Sequence, residues 1–236
     1  MTGRVGENVD LRGARRQGKG VFLRPVTDAD MSYLFFVGTS EENLVRWRLR
    51  GRTTSPQGFQ QFLWSNTDVQ MLICRQDSSD PIGHVCSYQT DEISGTSKVA
   101  VVLEPQFQRQ AWPLEGLYLF LEYLFSTFPF RKLYFEVPGY NIGEFEKFLE
   151  RHAAEEGRLQ DAVFGGGRYW DLVTLTLTRN EWDRFVSSSW GRVVSGAMFI
   201  PPRHVLNGRA ETAGEDPMSS RPAAVSAVTG TRPAVS

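Results

Sequence analysis

Residues 97–138 hold a strand-type run, SKVAVVLEP (97–105), a long apolar helix-type run, WPLEGLYLFLEYLFSTF (112–128), and a second strand-type run, KLYFEVP (132–138). A strand, a helix and a strand in that order cross over right-handedly, which makes the two strands parallel. This βαβ unit is the strongest constraint in the chain. It demands a sheet with at least one helix-covered face, whatever else is attached.

The flanking segments supply the remaining strands and helices. VFLRPV (21–26) reads as a strand, and in the following TDAD Thr27 can cap a helix over about 28–38, with Asp30 three residues on in capping-box spacing. Ser55 and Pro56 mark another helix start, because serine caps and proline's missing N–H has no partner in a first turn. DVQMLICRQ (68–76) and PIGHVCSYQT (81–90), joined by DSSD, read as a hairpin, and DEISGT leads into the strand at 97. Beyond the βαβ unit, NIGEFEKFLERHAAEEG (141–157) predicts an amphipathic helix. The glycines 165–167 then predict a hairpin turn, GRYWDLVTLTLT (167–178) a strand closing the sheet, and 179–194 a final helix. The expected class is α/β (α+β) with a mixed, mostly antiparallel central sheet, neither a dinucleotide-binding fold nor a barrel.

Residues 1–19 and 201–236 carry too few large apolar groups to offset the entropy of ordering them. They are expected to be disordered tails around one folded domain, 20–200. With 26 basic and 27 acidic residues the net charge is −1, so no bulk field draws the chain to nucleic acid or an anionic membrane. Two cysteines, Cys74 and Cys86, make neither a disulfide framework nor a zinc site, and no metal is expected. With no signal peptide and no run of about 18 apolar residues, the expectation is a soluble cytoplasmic protein, monomer or homodimer.

Several stretches in this order resemble the GNAT family of acyl-CoA-dependent N-acyltransferases, in particular the branch of ribosomal-protein N-terminal (RimJ/RimL-like) acetyltransferases. They are VFLRPVTDAD, PIGHVCSY, VAVVLEPQFQRQAWPLEG, RKLYFEVPGYN and EEGRLQDAVFGGGRYWDLVTLTL, spanning about 20–182. The resemblance implies a splayed parallel strand pair with helices on both sheet faces. It also implies acetyl-CoA or another acyl-CoA as co-substrate, and a primary amine of a small molecule or peptide as acceptor. The pantetheine arm would pair with strand 97–105 near Val101, Val102 and Leu103, a backbone N–H there holding the thioester carbonyl. The pyrophosphate would rest on the turn Gln108, Arg109, Gln110, Ala111 and Trp112 at the next helix N-terminus. Small residues normally fill that turn in the family. Ala111 suits it only with a negative φ, and Pro113 withdraws one donor while fitting a first helical turn.

The resemblance also implies an asparagine, matched by Asn141, and a leaving-group tyrosine seven residues on, where this chain has Phe148. Tyr140 is the nearest phenol in sequence, and relatives also release the thiol with water. Among candidate bases, His84 shares a strand face with Cys86 and Tyr88 and titrates near neutrality. Glu104, Asp91 and Glu92 are carboxylates that could orient or deprotonate an amine. Cys86 has only its spacing to His84 to suggest a nucleophile. Arg46, Arg48, Arg50 and Arg52 around Trp47 form a basic patch open to three readings: an acidic acceptor, the CoA 3′-phosphate, or a solvated helix face. The altered turn and Phe148 also leave open a catalytically degenerate GNAT-fold binding or regulatory module.

Overall fold

The computed structural model describes residues 15–108, 111–143 and 152–188. The chain divides into two units, Met1–Phe199 and Ile200–Ser236, and every described residue belongs to the first. Tail 201–236 thus lies outside the described residues, as do Arg109, Gln110 and Phe148.

The strands are β1 (Arg16–Gln17), β2 (Val21–Pro25), β3 (Val69–Arg75), β4 (Pro81–Asp91), β5 (Thr96–Leu103), β6 (Lys132–Pro138), β7 (Ala154–Gly165) and β8 (Arg168–Thr178). They form one sheet in the order β1-β2-β3-β4-β5-β6-β8-β7. Every neighbouring pair is antiparallel except β5–β6. The α-helices whose bounds fall among the described residues are α1 (Met31–Thr39), α2 (Glu41–Arg46), α3 (Pro56–Ser65), α4 (Ala111–Thr127) and α5 (Arg179–Ser187).

Local signals account for most boundaries. Ser55 Oγ accepts the Gly58 N–H at 3.1 Å with Pro56 opening α3. Asp30 Oδ2 accepts the Thr27 N–H at 2.9 Å, the reciprocal half of the expected capping box, although the first turn is 3₁₀ before α1 begins. Gly166 and Gly167, with φ of 59° and 81°, make the two-residue turn between β7 and β8, a geometry that side chains resist.

Two segments depart from expectation. The helix predicted through 157 gives way to β7 at Ala154, whose residues through Ala162 are all exposed and follow neither period; β7 exists because β8 offers a paired edge. Consequently β8 does not close the sheet: it lies between β6 and β7. At the other end, Arg16 and Gln17 pair with Leu23 and Phe22, so ordered backbone starts before the expected boundary at 20.

Each sheet face has its own core. On one face, α4 and α5 pack over Val21, Ile73, Val85, Val99, Leu133 and Val173. Gly116 lets α4 approach closely, since a Cβ there would lie 2.7 Å from Ile73 Cγ2. The C-terminus of α4 is held by Arg179, which donates to the carbonyls of Phe125, Phe128 and Phe130 at 2.8 Å each. On the other face, α1 and α3 pack with Trp47 and Leu49 over Phe22, Leu72, Cys74 and Val102. Apolar burial on both faces at about 25 cal/mol per Å² anchors this three-layer arrangement.

Candidate active site

The parallel pairing of β5 with β6 covers Thr96↔Lys132, Ser97↔Leu133 and Lys98↔Tyr134 and stops there. Beyond Lys98 the two strands run on, unpaired with each other, to Leu103 and Pro138. Glu104 N–H donates to Ile82 O in β4. Backbone groups alternate edges with period two, so those of Val99, Val101 and Leu103 face the fork and those of Ala100 and Val102 face β4. Of the three expected thioester-contacting residues, Val102 is therefore engaged in the sheet with His84, its side chain buried. Leu103 O is taken by Asn43 Nδ2 at 2.8 Å. Val101 is left opposite the gap.

Helix α2 straddles the fork. Asn43 ties it to β5 through Leu103 O. On the β6 side the Tyr140 hydroxyl donates to Val45 O at 3.0 Å and Asn141 Nδ2 donates to Arg46 O at 3.3 Å. Between them lies a cavity of about 80 Å³, lined from β5 by Val99, Ala100 and Val101, from β6 by Phe135, Glu136, Val137 and Pro138, and by Asn141. Trp47, Tyr88 and the arginines 46, 48 and 50 complete the lining.

Two buried polar atoms of the lining have no hydrogen-bond partner among the described residues: Trp47 Nε1, a donor, and Asn141 Oδ1, an acceptor. Unmet groups of both kinds are costly unless something polar occupies the cavity. Glu136 is ion-paired with Lys98 at 2.6 Å. Burial, and then the Glu136 carboxylate, push the Tyr88 phenol up to about 12, so it stays protonated at neutral pH. Nothing in the sequence marks Tyr88 or Glu136 as a reactive group; alternation on β4 and β6 gives their faces but not their meeting.

The other expected residues sit elsewhere. His84 is fully buried, its Nε2 3.2 Å from Gln70 Oε1 and its ring edge-on to Trp47. Burial, with the Arg48 charge nearby, pulls it down to about 3, and it does not line the cavity. Cys86 is buried and burial raises its thiol to about 11, which keeps it from thiolate chemistry. Glu104 Oε2 accepts from Gln106 Nε2 at 2.7 Å, outside the cavity lining. Asp91 lies by the closed end of the fork, paired with Thr96 and accepting the Ser94 N–H in the turn that also contains Glu92. Tyr140 has its hydroxyl committed to α2, and its ring is edge-on to Trp170.

At the α4 head, Gln108 Nε2 donates to Asn43 Oδ1 at 3.3 Å. Ala111 opens the helix and Pro113 stands in its first turn. The Trp112 ring lies under the Arg75 guanidinium, 4.7 Å away. Glu115, in the same stretch, accepts the N–H groups of Lys19 and Gly20. Among the described residues no cluster of His, Cys, Asp or Glu could hold a metal ion, and no helix is long and apolar enough to cross a membrane.

No protein-family model matches the chain, and no curated protein sequence does. Solved structures do. The spermidine N-acetyltransferase of Vibrio cholerae, determined in complex with CoA and spermine, superposes with a TM-score of 0.62 at 17% identity, over 69% of this chain and 98% of that one. A probable GNAT-family acetyltransferase from Chromobacterium violaceum gives 0.60 at 19% identity, over 78% and 98%. A GNAT-family acetyltransferase from Bacillus anthracis gives 0.59 at 11% identity, over 70% and 99%. At such identities the likeness is one of fold: the mixed sheet with its parallel pair and covering helices is that of the GNAT acetyltransferases.

Proposed function

We propose that the protein is an N-acyltransferase moving an acetyl or other short acyl group from acyl-CoA to a primary amine by direct attack in a ternary complex. The observation that carries this reading is the fork, whose β5 edge from Val99 to Leu103 has no strand partner on the β6 side. An extended amide-bearing chain such as pantetheine can complete such an edge as an added strand. The orphan Asn141 Oδ1 would accept from one of its amide N–H groups. Its diphosphate would extend toward the α4 head, where the N–H groups of Ala111 and Trp112 and the helix dipole favour anions.

In the step itself the amine nitrogen attacks the thioester carbonyl, with negative charge on the carbonyl oxygen received by the Val101 N–H. The C–N bond forms and the C–S bond breaks; the amine gives up one proton and the thiolate takes one. Glu136, which lines the cavity, would receive the amine proton, and the neutral Tyr88 phenol, also in the lining, would protonate the thiolate. The colinear sequence stretches support a likeness to the ribosomal-protein N-terminal acetyltransferase branch, and the lack of a signal-peptide pattern supports a soluble cytoplasmic enzyme.

Calorimetric titration with acetyl-CoA tests the reading. A dissociation constant in the micromolar range, roughly −8 kcal/mol, is expected. Absence of heat and of thermal stabilisation up to millimolar acetyl-CoA would overturn it. A second reading, a GNAT-fold module without CoA turnover, is favoured by one observation: Pro113 removes a donor from the α4 head while Glu115 sets a carboxylate beside it. That same null titration would support the module.

A further inference from the structure

The cavity lining is electrically lopsided. Among the described residues it contains Arg48 and Arg50 beside Arg46, and one carboxylate, Glu136, which already has Lys98 as partner. Three arginines elsewhere meet carboxylates directly: Arg24 with Asp30, Arg75 with Asp77, and Arg158 with Glu155 and Asp171. Among the described residues neither Arg48 nor Arg50 has a carboxylate within ion-pair distance.

Arg48 is held in place all the same. Its guanidinium lies over the rings of Tyr88 and Phe62, 4.3 and 4.9 Å from their centroids, and it donates to Asn66 O and contacts Cys86 Sγ. A half-buried cation whose position is fixed by rings and a carbonyl, with no anion of its own, costs free energy until one arrives. Arg50 adopts a left-handed backbone, φ 50°, ahead of Gly51 at 81°, and its charge bears on the phenols of both Tyr88 and Tyr140. Non-glycine residues avoid that conformation at a cost of about 1 kcal/mol, here accepted where it keeps the side chain at the cavity rim.

Resting on the acyl-transfer reading, we propose that the acceptor is a small amine that also bears a carboxylate: Arg48 and Arg50 hold the anion while Glu136 faces the amine. The arrangement matches a guanidinium pair to one end of the molecule and a carboxylate to the other. It disfavours polyamines, whose second ammonium would meet the arginines. CoA itself is the competing source of an anion. The α4 head, where its diphosphate belongs, follows the far end of β5, about 13 Å beyond Val99 at 3.3 Å per residue, whereas Arg48 lies over Tyr88, which pairs with Lys98 at the closed end.

The test uses the full chain with acetyl-CoA and follows thiol release with matched amines: free amino acids and acidic dipeptides, the same compounds as carboxamides, and spermidine. Carboxylates are expected to exceed their carboxamides at least about tenfold in kcat/KM. Arg50→Glu is expected to abolish or reverse that preference while the acetyl-CoA dissociation constant moves less than about twofold. Equal use of carboxamides, or preference for spermidine, overturns the proposal. So does an Arg50→Glu variant that loses affinity for CoA but not for 3′-dephospho-CoA, because the anion would then be the cofactor's phosphate. Should acetyl-CoA not bind at all, the transferase reading falls by itself. Titration of the carboxylate amines alone then decides the anion site: binding lost in Arg50→Glu upholds it, and equal binding of the carboxamides overturns it.

Discussion

Lys98 Nζ and Glu136 Oε1 meet at 2.6 Å across the point where β5 and β6 part. Lys98 is the last residue of β5 paired with β6, and Glu136 lies two residues past its partner Tyr134. The ion pair therefore bridges the strands just inside the fork and holds the carboxylate against the cavity.

If Glu136 takes the amine proton, Glu136→Gln should lower kcat at least about tenfold, toward the range typical of a lost general base. The acetyl-CoA dissociation constant should not change. Lys98→Met should lower kcat less, since it removes the ion pair that holds the carboxylate against the cavity but leaves the carboxylate itself. Unaltered turnover in Glu136→Gln would exclude it as the base.

Val101→Pro removes one N–H that faces the gap and takes part in no β5–β6 pairing. Acetyl-CoA affinity or turnover should fall about tenfold, near 1.4 kcal/mol. The melting temperature should stay within a few degrees. A variant that unfolds would place that N–H in the sheet rather than in the site.

Tyr140→Phe discriminates a catalytic phenol from a structural one. The hydroxyl holds Val45 O, so its removal should lower stability by about 1 kcal/mol in denaturant titration while leaving kcat unchanged. A large fall in kcat, with a lost basic limb in its pH profile, would return Tyr140 to the mechanism.

His84 gives the fold a pH dependence. Its pKa is about 3 when folded, against 6.5 for the free side chain, so the unfolded chain binds the proton more readily. The contribution of neutral His84 is complete above pH 6.5 and is lost as pH falls from there toward 3. The loss at pH 5 is about 2 kcal/mol, from 1.36 kcal/mol per unit. His84→Gln should flatten that part of the stability curve; an unchanged slope between pH 6.5 and 4 would assign the acid sensitivity to other groups.

Legibility in the sequence followed the range of the governing interaction. The sequence predicts a strand at 132–138 and β6 has those bounds, because its alternation buries one face. The hairpin β3–β4 and the start of α3 were equally plain from turn and cap residues. The sequence predicts helix through 157, yet 154–157 are strand, because the exposed edge β7 carries no periodic apolar signal. Of the residues lining the cavity, Asn141 is marked in the sequence by its match to a known pattern. Tyr88 and Glu136 are not, since 48 positions separate them and nothing local marks either. His84 was drawn toward the site by its chemistry, whereas packing under Trp47 places it in the core.

The sequence by itself determined the βαβ unit, the mixed sheet and the helices that cover it, since caps, turns and apolar periods act over a few neighbouring residues. Tertiary structure alone decided where β5 and β6 separate and which groups surround the opening. Those depend on one strand register and on hydrogen bonds that hold α2 over the fork across 60 and 95 residues of chain. Such contacts form only once both sheet faces are packed, and no short stretch of residues encodes them.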